Sequence, residues 1–384
     1  MPFNIPSVRC AAIMGFTCLA AMFCPVSTHG VSLYYWDTNG SSPGSGAVPN
    51  GTWGEETANW STNAAGVYPT MVWEPGSHAV FSAGTDSAGA TYTVNVVGTQ
   101  RVGDIHFDTG FVTLEGGTLA LDEGKRLVSA LPGVVGRINS DITTYQVGNE
   151  HSLTKYKMGT VILGGNNSYV GDTIIEGGVL KLGASERIPD TSNLILANGG
   201  TDGFIDTPAT FDTGGFSETL GKLKLTGLSY WIPRTIDFGH GSSALRFANS
   251  SDQDWEGLTL TIVNFTPGVD SLRFGTDSTG LNEYQLASIV FQDFGNLPAY
   301  IDENGYVEPA LPKVLDISEI GTPSTVITWR SVPGHTYRVQ YKNSLNDLYW
   351  SELYPDVTAW DTTMSITDDT TSGSERYYRV VLMY

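Results

Sequence analysis

The stretch that decides the fold is GTVILGGNNSYVGDTIIEGGVLKLG, which runs from Gly159 to Gly183. Its last strand-like run alternates, because Leu180 and Leu182 flank Lys181. A period of two places successive side chains on opposite faces of a strand, and glycines permit the tight corners between strands. The stretch therefore predicts short strands joined by turns, each with one apolar face.

The same alternation recurs along most of the chain. Leucine or isoleucine pairs separated by one residue lie at Leu119 and Leu121, Leu194 and Leu196, Leu223 and Leu225, and Leu260 and Ile262. The 45 glycines are spread evenly between these runs. Regular turn signals between short strands are typical of β-sandwiches, barrels and solenoids, so we predict an all-β protein.

One heptapeptide is repeated almost unchanged. EGGTLAL at Glu115–Leu121 returns as EGGVLKL at Glu176–Leu182. The separation is compatible with about three solenoid rungs of roughly 20 residues each. Convergent turn chemistry is the alternative, since Gly-Gly before a strand is common. We favour a β-solenoid in which leucines stack in a central core.

The residues Gly159–Gly183 resemble the autotransporter-associated β-strand repeat, although Tyr156–Met158 replaces the usual glycine-containing link before it. The segments Trp36–Gly40, Gly51–Trp53 and Asn59–Ser61 look like the N-terminal region of the same secreted proteins. The resemblance implies a right-handed parallel β-helix of the kind found in secreted passenger domains. It does not imply self-export, because this sequence has no run of strands sufficient for the membrane β-barrel of a true autotransporter.

The N-terminus has the order of a secretory signal peptide. Arg9 precedes an apolar run from Ala11 to Phe23, and Pro25 and small residues follow up to Gly30. We expect cleavage near residue 30 and a secreted or cell-surface location. The three cysteines all lie in this segment, so we expect no disulfide framework in the mature chain.

We divide the chain into four regions. They are a signal peptide at 1–30, an N-terminal β region at 31–130, a β-solenoid region at 131–312 and a small β-sandwich at 313–384. The last region resembles a fibronectin type III-like module, with Trp329 in its core and Tyr377 or Tyr378 near the place of a tyrosine corner. No later segment is long and apolar enough to be a transmembrane helix.

Two local patterns add detail to the solenoid region. Asn282 and Gln285 read as a capping pair and predict a helix of about two turns. The run Asp302–Gly305 lies between two strand-like segments, and its Asn-Gly pair predicts a hairpin with a type I′ turn.

Charge and motif content exclude several function classes. The chain carries 40 acidic and 20 basic residues, a balance that repels nucleic-acid phosphates. We expect no nucleic-acid partner, no cofactor and no metal. No EF-hand pattern is present, and the sequence shows no close ligand pair among the histidines of the mature chain, His78, His106, His151, His240 and His335.

The enzymatic alternative is a β-helical polysaccharide lyase or glycosidase. Such chemistry needs carboxylates that converge on one groove. Asp172, Glu176, Asp237 and Asp270 are candidates, and nothing in the sequence brings them together. We therefore expect no catalytic residues.

Binding is the stronger expectation. Trp36, Trp53, Trp60 and Trp73 crowd the start of the mature chain, and flat aromatic rings stack well on sugars. Burial in a β-core is the alternative for these four. We predict a structural or adhesive protein at the cell surface, with extracellular polysaccharide or cell-surface components as partners. A carbohydrate-binding protein is the alternative.

Overall fold

The computed structural model describes residues 32–146, 151–198, 207–227, 229–255, 257–319, 324–369 and 375–383. The predicted signal peptide lies outside the described residues. Short strands with one apolar face coil into a parallel β-helix, and a small antiparallel sandwich follows it. Both the all-β prediction and the solenoid-plus-sandwich prediction are confirmed.

The strands of the β-helix are short, as the turn spacing predicts. In chain order they are β1 (Leu33–Trp36), β2 (Gly51–Trp53), β3 (Trp60–Ser61), β4 (His78–Phe81), β5 (Thr91–Val96), β6 (Thr99–Val102), β7 (Ile105–Phe107), β8 (Phe111–Glu115), β9 (Thr118–Leu121), β10 (Gly124–Ala130), β11 (Val135–Ile138), β12 (Asp141–Thr144), β13 (His151–Tyr156), β14 (Thr160–Leu163), β15 (Asp172–Ile175), β16 (Gly178–Leu182), β17 (Leu194–Asn198), β18 (Ala209–Asp212), β19 (Glu218–Leu220), β20 (Leu223–Gly227), β21 (Arg234–Asp237), β22 (Ala244–Phe247), β23 (Leu260–Val263) and β24 (Ser271–Phe274).

The strands form three faces. Face 1 contains β1, β4, β7, β10, β13, β15, β17 and β20 in that spatial order, with β3 antiparallel at its edge. Face 2 contains β2, β5, β8, β11, β14, β16, β18, β21 and β23. Face 3 contains β6, β9 and β12 in the first half and β19, β22 and β24 in the second. Each strand pairs in parallel with the equivalent strand of the next rung, as in β14 with β16.

The core is a stack of inward-facing apolar side chains. Leu180, Leu182, Leu194 and Leu196 are all fully buried, as the alternation predicts. Aromatic residues stack in the same way, and the Phe81 and Phe107 ring centroids lie 5.6 Å apart. A parallel ladder aligns equivalent residues of successive rungs, so each inward side chain packs on its counterpart above and below.

The two copies of the heptapeptide occupy different faces. Gly116 and Gly117 lead into β9 on face 3, whereas Gly177 and Gly178 lead into β16 on face 2. The repeat is therefore a corner-and-strand unit that serves more than one face. Rungs also differ in length, because the face 1 strands begin at residues 78, 105, 124, 151, 172, 194 and 223. The two copies are nevertheless separated by a little under three rungs, in line with the estimate of about three.

The ladder crosses residue 130 without interruption. β10 ends at Ala130 and pairs with β7 on one side and β13 on the other. Residues of the predicted N-terminal β region and of the predicted solenoid region thus share one continuous helix.

The C-terminal end of the β-helix is closed by a short helix and a hairpin. Helix α1 (Glu283–Ala287) has the predicted capping box between Asn282 and Gln285, and it is shorter than two turns. β25 (Ile289–Phe291) continues face 2, and a 3₁₀ turn follows at Gln292–Phe294. No helix within the described residues combines the length and the apolar character needed to cross a bilayer.

The hairpin joins face 2 to face 3. β26 (Leu297–Ile301) pairs antiparallel with β25 and with β27 (Tyr306–Pro309), and β27 pairs with β24. The hairpin prediction at Asp302–Gly305 is confirmed, but the type I′ turn is wrong. Gly305 has a positive φ of 83° and Asn304 does not, so the turn is type I with glycine in the left-handed position.

The sandwich consists of two three-stranded antiparallel sheets. Its strands are β28 (Lys313–Glu319), β29 (Thr325–Arg330), β30 (Thr336–Lys342), β31 (Ser351–Thr358), β32 (Thr363–Asp368) and β33 (Tyr377–Met383). One sheet has the order β28-β29-β32 and the other β31-β30-β33. Leu297 of the hairpin belongs to the sandwich core, so the two bodies share packing.

Trp329 is fully buried in the sandwich core, as predicted. The tyrosine that bonds to nearby backbone is a different one from the pair expected. The buried Tyr337 hydroxyl accepts a hydrogen bond from the Val332 N–H at 2.8 Å. The Tyr378 hydroxyl instead donates to the Asp368 carboxylate at 2.8 Å.

Candidate functional site

The four tryptophans near the start of the described chain lie in the core. Trp36, Trp53 and Trp60 are 0 % exposed and Trp73 is 4 % exposed. The ring centroids of the contacting pairs lie 4.6 to 5.1 Å apart, with Trp60–Trp73 the shortest and Trp36–Trp60 the longest. Together with Phe81 they fill the first rung of the β-helix. A ring covered on both faces offers no surface to a sugar. These four tryptophans are therefore core residues and are not available for stacking on a glycan.

Hydrogen bonding agrees with a structural role for this cluster. The Trp36 indole N–H donates to the Pro49 carbonyl at 2.8 Å, and that of Trp73 donates to the Arg101 carbonyl at 3.0 Å. The indole nitrogens of Trp53 and Trp60 are buried without a partner. These two rings therefore stabilise the fold by packing. Their extensive burial outweighs the free-energy cost of an unsatisfied indole N–H.

An exposed aromatic pair follows β20, the last strand of face 1. Tyr230 is 65 % exposed and Trp231 is 92 % exposed, the highest exposure among the tryptophans. They lie in the connection between β20 and β21, and we call residues 229–233 the corner loop. Exposed tryptophan contributes nothing to the core and is enriched where proteins bind partners.

The corner loop is fixed from below by a buried arginine. Arg234, the first residue of β21, is 0 % exposed. Its guanidinium donates to the carbonyls of Thr226 at 3.0 Å, Ser229 at 3.2 Å and Ile232 at 3.1 Å. A planar guanidinium with fixed donors holds three acceptors in one geometry, which presents Trp231 on a preorganised loop.

Sequence reasoning missed the corner loop, although a signal was present. The strand alternation stops at Gly227 and resumes after Pro233, and two adjacent aromatic residues lie in that interval. Adjacent residues of a strand point to opposite faces. Even if this segment were a strand, only one of the two aromatic side chains could face the core.

The four candidate carboxylates are not brought together. Asp172 lies in β15 on face 1, Asp237 ends β21 on face 2, and Asp270 precedes β24 on face 3. Each has a structural partner. Asp172 accepts from the Asn193 amide, Asp237 from the Gly239 N–H, and Asp270 from the Ser243 N–H. Glu176 forms an ion pair with Lys125 at 2.6 Å. These contacts stabilise turns and link neighbouring rungs.

A cavity of about 250 Å³ lies at the corner between faces 1 and 2, lined by Leu131, Pro132, Tyr156, Lys157, Met158 and Thr207. The buried Lys155 beside it donates to the carbonyls of Tyr156, Lys157 and Gly177. Burial lowers the pKa of Lys155 to about 7. The three carbonyls favour the protonated form, because a neutral amine has only two hydrogens to donate. Lys155 therefore serves as an internal corner support.

Face 1 carries a cluster of two histidines and an aspartate that the sequence does not reveal. His78 begins β4, and one rung further Asp104 immediately precedes β7 and His106 lies within it. The imidazole rings of His78 and His106 are 6.1 Å apart and nearly parallel. The sequence spacing gives no sign of this proximity, because parallel pairing aligns residues one rung apart.

Hydrogen bonds fix the cluster. The His78 Nδ1 lies 2.8 Å from one Asp104 carboxylate oxygen, and the Leu127 N–H donates to the other at 2.9 Å. The His106 Nδ1 lies 2.8 Å from the buried Ser129 hydroxyl. Burial lowers the pKa of His106 despite nearby carboxylates. Burial alone would raise the pKa of Asp104, but the His78 ring and the Leu127 N–H hold it below its ordinary value.

Comparison with known proteins shows similarity to part of a curated adhesin. The chain is 32 % identical over 171 residues to the protein described as "Adhesin BmaC autotransporter" from Brucella suis biovar 1 (strain 1330). The match covers 43 % of this chain and 4 % of that much longer protein. No protein-family model matches the chain, and no solved structure matches it.

Proposed function

We propose that this chain is a non-enzymatic adhesive protein, secreted or displayed at the cell surface. In this proposal the β-helix is a rigid scaffold and the corner loop is the contact surface. The observation that carries it is Trp231, which is 92 % exposed at the tip of a loop held by the buried Arg234. Binding energy concentrates in a few aromatic anchors of this kind.

Similarity to part of an adhesin supports the proposal. Adhesion is named for that relative, and we extend it to this chain because a β-helix aligns many rungs along one extended surface. The N-terminal signal-like segment supports export through a cleaved signal peptide, which belongs to the same proposal. The dispersal of Asp172, Asp237 and Asp270 over three faces favours binding over hydrolysis by these carboxylates.

The sandwich serves as a docking or spacer module of fibronectin type III-like character. Its two sheets, with orders β28-β29-β32 and β31-β30-β33, support this assignment. Contacts at the junction with the hairpin favour a fixed attachment. Arg330 donates to the Leu311 carbonyl at 3.1 Å, and its guanidinium lies 4.0 Å from the Tyr300 ring centroid.

Carbohydrate binding is the second candidate, and the exposed Tyr230–Trp231 pair favours it. Aromatic rings exposed on a rigid support stack on the apolar faces of sugars. The excess of 40 acidic over 20 basic residues favours neutral polysaccharides over anionic ones.

The test is retention of protein-coated beads on cell monolayers and on immobilised polysaccharides, with a glycan array in parallel. We expect Trp231→Ala to reduce retention at least tenfold. The matched control is Trp360→Ala, since Trp360 lies in the sandwich and is 78 % exposed. Equal retention of wild type and Trp231→Ala, or release of sugar from the polysaccharide, would contradict the proposal. Retention on glycans alone would select the second candidate.

A further inference from the structure

We propose that His78, Asp104 and His106 form a binding site for a divalent transition metal of the zinc class. The metal would tie the rung of β4 to the rung of β7. Each of the three residues offers one ligand atom, and these atoms lie within 4.8 Å of one another. Imidazole nitrogen and carboxylate oxygen are the ligands found in three-residue zinc sites.

The hydrogen bonds around the cluster resemble the supports that zinc ligands need. Metal-bound histidines usually pair their second ring nitrogen with a fixed partner. The His106 Nδ1 has such a partner in the Ser129 hydroxyl, which leaves Nε2 for a metal. The Leu127 N–H holds one oxygen of Asp104 and leaves the other facing His78.

Binding requires a modest contraction of the cluster. Ligand atoms at about 2.1 Å from a tetrahedral zinc lie about 3.4 Å apart. Asp104 is buried, whereas the His78 side chain is 17 % exposed, so the approach for a metal lies on the His78 side. Three protein ligands leave a fourth position for water.

The charges around the cluster set the expected affinity. The Arg126 guanidinium lies 3.9 Å from Asp104 and opposes a second cation, although it also donates to the Glu123 carbonyl. The Asp108 carboxylate raises the pKa of His106, and the Lys157 ammonium lowers it. We therefore expect micromolar affinity for zinc, and tighter binding in Arg126→Gln.

The experiment is calorimetric titration of Zn²⁺ into the full chain, prepared without a polyhistidine tag and treated with chelator. One ion per chain is expected. His106→Gln and Asp104→Asn should each weaken binding at least tenfold, and His240→Ala, which removes an exposed histidine between β21 and β22, should leave it unchanged. Saturating zinc should raise the melting temperature of the wild type by about 4 °C or more and that of His106→Gln by much less.

Cobalt provides a readout that a purely structural role would not give. Co²⁺ in a four-coordinate site absorbs visible light far more strongly than the hydrated ion, and this absorption should vanish in His106→Gln. If a buried substitution prevents folding, His78→Gln at the more exposed ligand takes its place. Zinc binding that is absent, or equally tight in wild type and His78→Gln, would show that the three residues form only a hydrogen-bonded network and would overturn the proposal.

Discussion

The first and eighth rungs of the β-helix use tryptophan in opposite ways. Trp36, Trp53 and Trp60 are completely buried among other rings, whereas Trp231 is 92 % exposed on a loop. The difference lies in the backbone position. The first three lie in strands and point inward, and Trp231 lies between strands where no core is within reach. A tryptophan in a strand of the first rung therefore packs in the core, and the one in the corner loop lies at the surface.

The largest expected effect is in the first rung. Trp53→Ala removes a ring that lies 4.9 Å from Trp60 and 4.8 Å from Trp73. Removal of a buried tryptophan should lower the free energy of unfolding by about 3 to 5 kcal/mol. Denaturant unfolding followed by circular dichroism measures it, with Trp360→Ala as the exposed control. A loss below 1 kcal/mol would show that the first rung is not a packed core.

The second-largest loss of stability is expected at Arg234, which supports the corner loop. Arg234→Ala leaves three carbonyls without their donor, at a cost of about 2 to 3 kcal/mol. The same substitution should expose residues 229–233 to proteases and reduce adhesion, because Trp231 loses its fixed position. Limited proteolysis and unfolding curves measure both effects. Unchanged cleavage would mean that the loop is ordered by other contacts.

A buried carboxyl in the rung before the corner loop predicts a pH dependence. Burial raises the pKa of Glu218, the first residue of β19, to about 8. Between about 4.5 and 8 the folded chain keeps a proton that the unfolded chain releases, so stability should fall as pH rises through this window. One pKa unit corresponds to about 1.4 kcal/mol, and water penetration reduces the observed effect, so we expect a loss of about 1 to 2 kcal/mol.

Comparison with Glu218→Gln isolates this contribution. The glutamine variant keeps an acceptor for the Arg187 N–H, which donates to Glu218 at 2.8 Å, and it does not titrate. The difference in unfolding free energy between wild type and variant should therefore change with pH in the direction given. A difference that is constant from pH 5 to pH 8 would contradict a raised pKa.

The smallest stability effect is expected at the exposed ring. Trp231→Ala should change the free energy of unfolding by less than about 0.5 kcal/mol, since surface side chains rarely contribute more. It should also remove much of the fluorescence that acrylamide quenches, because Trp231 and Trp360 are the two strongly exposed tryptophans. A destabilisation comparable to that of Trp53→Ala would mean that Trp231 is part of the core.

The sequence predicts the scaffold better than the sites on it. Alternation at Leu180–Leu182 and Leu194–Leu196 predicts inward strands directly, because the period of a strand is local. The capping box at Asn282 and Gln285 is equally local. The meeting of His78 with His106 depends on the number of residues in one rung, and rungs vary with corner length. The burial of Trp53 depends on rings from three different segments, which no local pattern specifies.

The most direct test of the central claim is the accessibility of Trp231 while the protein is bound. The variant Trp360→Phe leaves Trp231 as the dominant exposed tryptophan, and acrylamide quenching is compared with the protein free and attached to a surface that retains it. The adhesive account predicts that attachment protects Trp231 and shifts its emission to shorter wavelength. Full quenching of Trp231 in the attached protein would show that contact is made elsewhere and would contradict the account.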